Sequence, residues 1–230
     1  MNEYRTNEPA KVKICGIQEE ATLQGMHGLP VDYIGFMFAE RSRRRVTPEH
    51  AGKLREYARE MRMEGGRPLR TVGVFVNPTL ELLAETLAAV PLDVVQLHGE
   101  ETPAFAREVG EKFGVEVWRA LPATEASDDD TSAGPARLAA YAGAVSTILL
   151  DTAGGGTGKT FRWDVIPAYQ EEAAKHGLRL FIAGGLNPDN VGELIAGYRP
   201  NGVDLSSGVE TNGVKDIGKI ATFAERVKRS

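Results

Sequence analysis

Short apolar runs rich in β-branched residues alternate along the chain with longer segments whose apolar residues recur at helical spacing. We predict strands at residues 12–17, 33–38, 71–76, 94–97, 115–120, 147–151, 180–183 and 203–206. We predict helices at residues 48–61, 80–88, 103–113, 163–175, 188–196 and about 216–228. Strands that are apolar on both faces and separated by helices indicate a parallel sheet. Eight such units in succession predict a single-domain α/β fold, the closed (β/α)8 TIM barrel.

The barrel is expected to occupy residues 11–230, after a polar segment at residues 1–10 that we interpret as a flexible tail. Thr47-Pro48 and Asn187-Pro188 are typical helix starts, because proline suits the first helical position. Two segments do not follow the strand–helix alternation. Residues 63–68 indicate a loop, and residues 122–135 indicate a solvated, mobile insertion to which we assign no role.

Composition narrows the possible functions. The single cysteine excludes an internal disulfide framework and a cysteine-rich metal site. The net charge of −5 argues against nucleic acid or anionic lipid as a partner, so local groups must meet the charge of any anionic ligand. No run approaches the roughly 18 apolar residues of a membrane span, and the first residues lack a secretory pattern. We therefore expect a cytoplasmic protein.

Glycines follow the last two predicted strands. In barrels of this class the active site lies at the carboxyl ends of the strands, and the loops after strands seven and eight commonly bind phosphate. Gly184-Gly185 and Ser207-Gly208 occupy those two positions. Glycine lets the backbone approach phosphate oxygens closely. We predict a phosphate site here, and tight turns without a ligand are the alternative.

Two reactive side chains also end strands. A lone cysteine is usually a small buried hydrophobic residue, but Cys15 ends the first strand, and Lys13 could supply the positive charge that lowers a thiol pKa. Asp151 ends the sixth strand, where burial can raise a carboxyl pKa and make it a proton donor. A structural hydrogen bond in the following loop is the alternative for Asp151.

Positive charge gathers after the second strand, at Arg41, Arg43, Arg44 and Arg45. Such a cluster is most often solvated, but one arginine turned into the pocket could bind a substrate carboxylate with two hydrogen bonds. After the fourth strand, His98 is expected to be a neutral, hydrogen-bonded wall of the site.

The sequence at residues 153–160, AGGGTGKT, matches a permissive phosphate-binding loop and favours a different class, a nucleotide hydrolase. Such a loop normally follows the first strand of its domain and leads directly into a helix. Here five predicted strands precede the sixth-strand loop, and Phe161, Arg162 and Pro167 follow. We interpret the segment instead as a flexible lid over a phosphate-bearing ligand.

Taken in order, these segments resemble the phosphoribosylanthranilate isomerases of tryptophan biosynthesis from Lys11 to about Val227. The segments that carry the resemblance are Lys13-Ile14-Cys15-Gly16, Gly35-Phe36-Met37-Phe38 with Ser42 and Arg44, Val72-Gly73-Val74-Phe75, Gln96-Leu97-His98-Gly99, Asp151 with Gly155-Gly156-Thr157-Gly158, Ala183-Gly184-Gly185-Leu186, and Asp204 with Ser207-Gly208-Val209-Glu210 and Lys215-Asp216. Arg43, Thr152 and Arg162 depart from the usual pattern. The Arg43 change leaves open whether Arg43, Arg44 or Arg45 faces the pocket.

The resemblance implies an Amadori rearrangement of a phosphorylated small molecule, without cofactor or metal. It implies Cys15 as the base at the sugar C2 and Asp151 as the acid at the ring oxygen. It implies substrate binding by Arg44, His98, Gly155, Gly156, Gly184, Gly185, Ser207 and Gly208. The chain is expected to be a monomer or a homodimer.

Two further functions are compatible with a barrel of this kind. The histidine-pathway isomerase shares this fold and reaction type but resembles the chain less, because it uses two aspartates where this chain has Cys15 and Asp151. A barrel retained only as a binding module predicts the loss of one of these residues, and both are present.

Overall fold

Eight parallel strands close into a barrel in the computed structural model, which describes residues 9–124, 134–152 and 161–229. Each strand pairs with the next along the chain, and the first pairs with the eighth. The strands are β1 (Lys11–Cys15), β2 (Tyr33–Met37), β3 (Arg70–Phe75), β4 (Val94–Leu97), β5 (Glu116–Pro122), β6 (Thr147–Asp151), β7 (Arg179–Ile182) and β8 (Gly202–Leu205). The predicted barrel is confirmed.

Helices surround the barrel, and several of them begin at residues whose side chains cap them. They are α1 (Glu20–Met26), α2 (Pro48–Glu60), α3 (Leu80–Ala89), α4 (Pro103–Phe113), α5 (Ile166–Lys175), α6 (Pro188–Tyr198) and α7 (Ile217–Arg229). The hydroxyls of Thr47, Thr79 and Thr102 each accept a hydrogen bond from a first-turn N–H of α2, α3 and α4. Asn187 and Asn190 form a reciprocal capping box at α6. These caps satisfy N–H groups that have no partner inside the helix.

The sequence prediction was incomplete in four places. It missed α1, a short helix that contains Gly25 and has no side-chain cap. The connection from β5 to β6 contains a 3₁₀ segment, Pro135–Tyr141, whose Leu138 and Tyr141 are buried. It also missed a small hairpin after β8, formed by β9 (Glu210–Thr211) and β10 (Val214–Lys215). Residues 64–66, in a predicted loop, form a 3₁₀ turn.

Three parts of the prediction lie outside the described residues, wholly or mostly. They are the tail at 1–8, residues 125–133 of the insertion, and residues 153–160 of the lid. The division into a tail and one barrel domain therefore stays a prediction. None of the helices that the structure does describe is long and apolar enough to cross a membrane.

The barrel interior is filled in layers, and the filling decides where a cavity forms. A cluster of Tyr33, Trp118 and Phe181 occupies the middle of the barrel, with ring centroids 4.8–6.0 Å apart. Above it, towards the carboxyl ends of the strands, the interior holds the smaller Val74 on β3, Ala120 on β5 and Ala183 directly after β7, all buried. Large side chains therefore close the lower part of the barrel, and small ones leave space beneath its upper mouth.

The lower end is closed by a charged cluster at the starts of β3, β5 and β7. Glu116 accepts hydrogen bonds from Arg70 (2.8 Å), from the Trp118 indole (2.7 Å), from Ser146 (2.6 Å) and from Arg179. Burial alone would raise the pKa of this carboxyl, but these hydrogen bonds and the two guanidinium charges lower it to about 2. The cluster is thus a set of paired charges that seals the barrel floor.

Replacing Glu116 with glutamine is expected to reduce the free energy of unfolding at pH 7 by about 1–2 kcal/mol, because its hydrogen bonds and ion pairs weaken. The folded-state pKa lies below the unfolded value, so the contribution is complete above about pH 4.5 and is lost as the pH falls towards about 2. Urea unfolding of both proteins between pH 7 and pH 3 measures this. Glu56→Gln, at an exposed position of α2, is the control and should change the free energy of unfolding little. A Glu116→Gln loss that does not depend on pH would contradict this assignment.

Candidate active site

A cavity of about 590 Å³ opens at the carboxyl ends of the strands. All eight strands or the residues directly after them line it, including Cys15, Gln96, Asp151, Asp204 and Ser206. Its volume lies within the usual range for small-molecule sites, about 300–1,000 Å³. The predicted location of the site, at the upper mouth of the barrel, therefore coincides with a formed cavity.

Cys15 lies at the end of β1 with Lys13 on the same inward face of the strand, two residues below it. Both side chains are buried, and the positive charge of Lys13 acts on the pKa of the thiol. Burial raises the pKa of the Cys15 thiol, whereas the charges of Lys13 and Lys215 act to lower it. Gly35 on β2 leaves room for this pair, since a Cβ there would lie 2.8 Å from the Cys15 Sγ and 3.3 Å from the Lys13 Nζ.

Asp204 on β8 is the second partner of Lys13. Its Oδ1 accepts a hydrogen bond of 2.8 Å from the Lys13 Nζ, and neither side chain is substantially exposed. Burial, with the nearby Asp151, raises the pKa of Asp204 against the opposing charge of Lys13. Burial also disfavours the Lys13 ammonium, but Asp204 and Cys15 outweigh it and raise the Lys13 pKa. Lys13 is thus a cation shared between a carboxyl and a thiol.

Asp151 ends β6 at the wall of the same cavity. Its Oδ1 accepts a hydrogen bond of 2.7 Å from the backbone N–H of Thr152, and its Oδ2 lies 3.4 Å from the His98 Nε2. The other nitrogen of this ring, Nδ1, lies 3.2 Å from the Gln96 Nε2. His98 is therefore a hydrogen-bonded wall of the cavity, and Asp151 keeps one oxygen in a chain of polar groups that runs down to Gln96.

The loop that carries His98 is held from behind by a buried ion pair. Arg119 on β5 donates to the carbonyls of Leu97 (3.0 Å) and Gly99 (2.7 Å) and pairs with Glu101 at 3.0 Å. Glu101 in turn accepts hydrogen bonds from the backbone N–H groups of Gly99 and Asn77. A paired, hydrogen-bonded charge of this kind fixes backbone position, and here it fixes the loop beside Asp151.

A second group of charges, around Glu210, lies near Cys15. Glu210 accepts from Arg44 through both oxygens, at 2.6 and 3.1 Å, and from Lys215 at 2.9 Å. Burial would raise the pKa of Glu210, but hydrogen bonds from Arg44 and Lys215 lower it to about 2. Lys215 also donates to the carbonyl of Ser206 at 2.8 Å, which ties the hairpin to the end of β8.

Among the three arginines left open by the sequence, Arg44 is the one that lines the cavity. Its side chain is 12% exposed, compared with 59% for Arg43, which also pairs with Glu210 from the outer side. Arg45 is exposed and does not line the cavity. Arg41, which does line it, lies at its exposed rim. Arg44 is therefore the best placed of these arginines to contact a carboxylate in the cavity.

The two glycine-containing loops lie next to each other in the wall of the cavity. Gly184 has a φ of +80°, and a Cβ there would lie 2.2 Å from the Thr152 hydroxyl. At Gly208 a Cβ would lie 1.9 Å from the Leu186 carbonyl oxygen, so only glycine permits this approach of the two loops. Gly185 and Ser207 line the same wall, whereas Gly155 and Gly156 lie outside the described residues.

Four residues with polar roles in the site were quoted in the sequence analysis without a role: Asp204, Gln96, Glu210 and Lys215. Asp204 and Gln96 carried a usable signal, because each is a polar side chain inside an otherwise apolar strand. Glu210 and Lys215 carried none, since they pair within a hairpin that the sequence prediction missed, and Arg44 reaches Glu210 from a distant part of the chain. Together the residues supply a thiol beside a cation, a carboxyl beside an imidazole, and an arginine at the cavity wall, a set suited to moving protons on an anionic ligand.

Comparisons of this chain with known proteins all find the same family. The family model for N-(5'-phosphoribosyl)anthranilate (PRA) isomerase matches residues 12–226. The N-(5'-phosphoribosyl)anthranilate isomerase of Brevibacillus brevis is 46% identical, covering 95% of this chain and 93% of that protein. A structure of monomers of the dimeric isomerase from Thermotoga maritima is 34% identical with a TM-score of 0.74, covering 96% of this chain and 100% of the other.

A further isomerase structure was solved in complex with reduced 1-(o-carboxyphenylamino)-1-deoxyribulose 5-phosphate. It is 32% identical to this chain with a TM-score of 0.74, and covers 96% of this chain and 100% of the other. That protein binds a phosphorylated, carboxylated sugar derivative, a ligand of the same chemical class as the one expected from the sequence.

Because Cys15 is the single cysteine of the chain, the rate of thiol alkylation reports on it alone. Removing the neighbouring charge by Lys13→Met is expected to raise the Cys15 pKa and slow alkylation by iodoacetamide at pH 8 by about tenfold. Lys53→Met, on an exposed face of α2, is the matched control and should leave the rate unchanged. Equal rates for Lys13→Met and the parent protein across pH 7–10 would show that Lys13 does not act on the thiol.

Proposed function

The chain belongs to the N-(5'-phosphoribosyl)anthranilate isomerase family, and on that premise we propose how its cavity carries out this isomerisation. The reaction is an Amadori rearrangement that converts N-(5-phosphoribosyl)anthranilate to 1-(2-carboxyphenylamino)-1-deoxyribulose 5-phosphate in tryptophan biosynthesis. The observation that carries the proposal is that one cavity is lined by both Cys15 beside Lys13 and Asp151 beside His98. A base and an acid thus face the same bound sugar.

Asp151 acts as the general acid. It delivers its proton to the ring oxygen as the bond from that oxygen to C1 breaks, and the nitrogen lone pair forms the C1–nitrogen double bond of an iminium ion. The Thr152 N–H holds Oδ1, so Oδ2 is the oxygen that carries the proton. As negative charge develops on Oδ2, the nearby His98 Nε2 can donate to it.

Cys15 then acts as the general base. Its thiolate removes the proton from C2. The electron pair of that bond forms the C1–C2 double bond, and the π pair of the C1–nitrogen bond returns to nitrogen, which gives a neutral enolamine. Protonation at C1 and loss of the proton from the C2 hydroxyl give the ketone product. Lys13 and Lys215 supply the positive charge that favours the thiolate, whereas Asp204 opposes it. Burial, which raises the Cys15 pKa, and the sharing of Lys13 with Asp204 therefore together set the basicity of the thiolate.

Two anionic ends of the substrate need partners. We assign the anthranilate carboxylate to Arg44, whose guanidinium is presented at the cavity wall by Glu210. We assign the phosphate to backbone N–H groups of the loops at Gly184-Gly185 and Ser207-Gly208. His98 would border the reacting sugar. Gly155 and Gly156 are proposed as further substrate contacts from the loop that lies outside the described residues.

Several further properties are part of the proposal. The rearrangement oxidises C2 and reduces C1 within one molecule, which makes it an intramolecular aldose–ketose oxidoreduction that needs no external cofactor. We propose a cytoplasmic enzyme, active as a monomer or a homodimer on a phosphorylated small molecule. Neither nucleic acid nor a membrane is proposed as a partner.

Loss of either proton-transfer group should reduce turnover with little effect on folding. Cys15→Ala is expected to lower kcat by about 10²-fold or more, the scale of a lost general base, and Asp151→Asn by a similar factor because the amide cannot donate the proton. Single-turnover rates of substrate consumption measure both. Thr71→Val, a buried polar change at the lower end of β3, controls for general disturbance of the barrel. Near-parental kcat in Cys15→Ala would overturn the base assignment.

Assigning the anthranilate carboxylate to Arg44 predicts different effects for substitutions of Arg44 and of its neighbours. Arg44→Ala is expected to raise KM by about 10–100-fold with a smaller effect on kcat, since a charge-assisted hydrogen bond contributes about 1.5–3 kcal/mol. Arg43→Ala is the matched control, because it also loses a bond to Glu210 but removes an exposed side chain. A large KM increase in Arg43→Ala or Arg41→Ala, with an unchanged KM in Arg44→Ala, would contradict the assignment.

A further inference from the structure

The Gln96 side chain contains an unused hydrogen-bond acceptor in the lining of the active-site cavity. Gln96 lies on β4 and is 1% exposed. Within the described part of the chain its Oε1 is buried and has no hydrogen-bond partner. Its Nε2, by contrast, lies 3.2 Å from the His98 Nδ1. Buried polar atoms without partners are uncommon and call for an explanation.

We propose that Gln96 is a positioning residue. It links a sugar hydroxyl of the substrate to the tautomer of His98 and, through His98, to Asp151. The bound hydroxyl donates to the Gln96 Oε1, which holds the Nε2 towards His98. This inference rests on the proposed function for the identity of the ligand. The hydrogen bonds that it assigns to Gln96 and His98 can be measured in a complex that does not turn over.

The link to His98 follows from the donor and acceptor character of each atom. An amide Nε2 can only donate, so the His98 Nδ1 that faces it must accept and carries no proton. The neutral imidazole then holds its proton on Nε2, the nitrogen that faces the Asp151 Oδ2 at 3.4 Å. If the amide turned over, Oε1 would face Nδ1 and favour the opposite tautomer, whose Nε2 has no proton to donate.

The tautomer matters to the acid step. When Asp151 gives its proton to the ring oxygen it becomes a carboxylate, and an N–H aimed at Oδ2 stabilises that charge. The opposite tautomer would offer a lone pair to Oδ2 and lose this stabilisation. The orientation of the Gln96 amide therefore controls how well Asp151 releases its proton.

A sugar hydroxyl is the donor that fits the position of the free oxygen. Cys15 and Asp151, which act on the sugar, line the same cavity as Gln96. The anionic ends of the substrate are assigned to groups elsewhere in the cavity wall, Arg44 and the two glycine loops. A hydroxyl donating to Oε1 satisfies the buried acceptor while the Nε2 stays towards His98. In the turned-over amide the same hydroxyl would have to accept from the NH₂ group instead of donating. A sugar hydroxyl that donates to Oε1 thus supports the tautomer that assists the acid.

The first test measures the tautomer of His98 by ¹⁵N NMR of the imidazole, with His98→Gln used to assign its signal among the four histidines. The probe is reduced 1-(o-carboxyphenylamino)-1-deoxyribulose 5-phosphate. We expect the Nε2–H tautomer in the complex, and a shift towards Nδ1–H in Gln96→Glu, whose carboxylate accepts from Nδ1. Gln170→Met on α5, far from the cavity, is the control and should match the parent protein. A predominant Nδ1–H signal in the parent complex would overturn the proposal.

The second test compares binding of that probe with binding of analogues that each lack one sugar hydroxyl. One analogue is expected to bind the parent protein about tenfold more weakly, the scale of one neutral hydrogen bond, and to show no such loss in Gln96→Met. Equal losses in both proteins for every analogue would overturn the proposal. Neither test requires turnover, so an inactive parent protein with the expected tautomer would refute the proposed function alone.

Discussion

The Lys13 ammonium is fully buried inside the barrel, and the upper part of the structure depends on how its charge is balanced. A buried lysine loses its hydration and is tolerated only when other groups replace it. Here Asp204 accepts its hydrogen bond at 2.8 Å, and the Cys15 thiol lies beside it. Gly35 provides the space for both Lys13 and Cys15. One ion pair thereby joins β1 to β8, at the point where the barrel closes, and sets the environment of the proposed base.

The lower half of the barrel makes this arrangement possible. The charged cluster around Glu116 and the ring cluster of Tyr33, Trp118 and Phe181 fill the interior up to the middle of the strands. The smaller Val74, Ala120 and Ala183 above them leave the cavity at the upper mouth. Rigid packing below and space above mean that Lys13, Cys15, Asp151 and Asp204 are held by strands rather than by loops, which favours fixed geometry.

The sequence predicted the barrel well because its strands are continuous apolar runs, and the bounds at residues 94–97 and 147–151 agree with the structure. It missed α1, a short helix with an internal glycine and no side-chain cap. In the site, strand-end position was enough to select Cys15 and Asp151 as candidates, whereas Arg44 came from the resemblance and its choice over Arg43 and Arg45 stayed open. The pairing of Lys13 with Asp204, or of Arg44 with Glu210, joins residues 191 and 166 positions apart. No local pattern encodes such pairings, so only the folded barrel identifies them.

The central claim is that this cavity rearranges phosphoribosylanthranilate by acid–base catalysis. The most direct measurement follows the fluorescence of N-(5'-phosphoribosyl)anthranilate after addition of the purified protein, with phosphate release from ATP recorded in parallel. We predict catalytic loss of the substrate signal and no release of phosphate from ATP. A stable substrate signal, or ATP hydrolysis by the protein, would contradict the account.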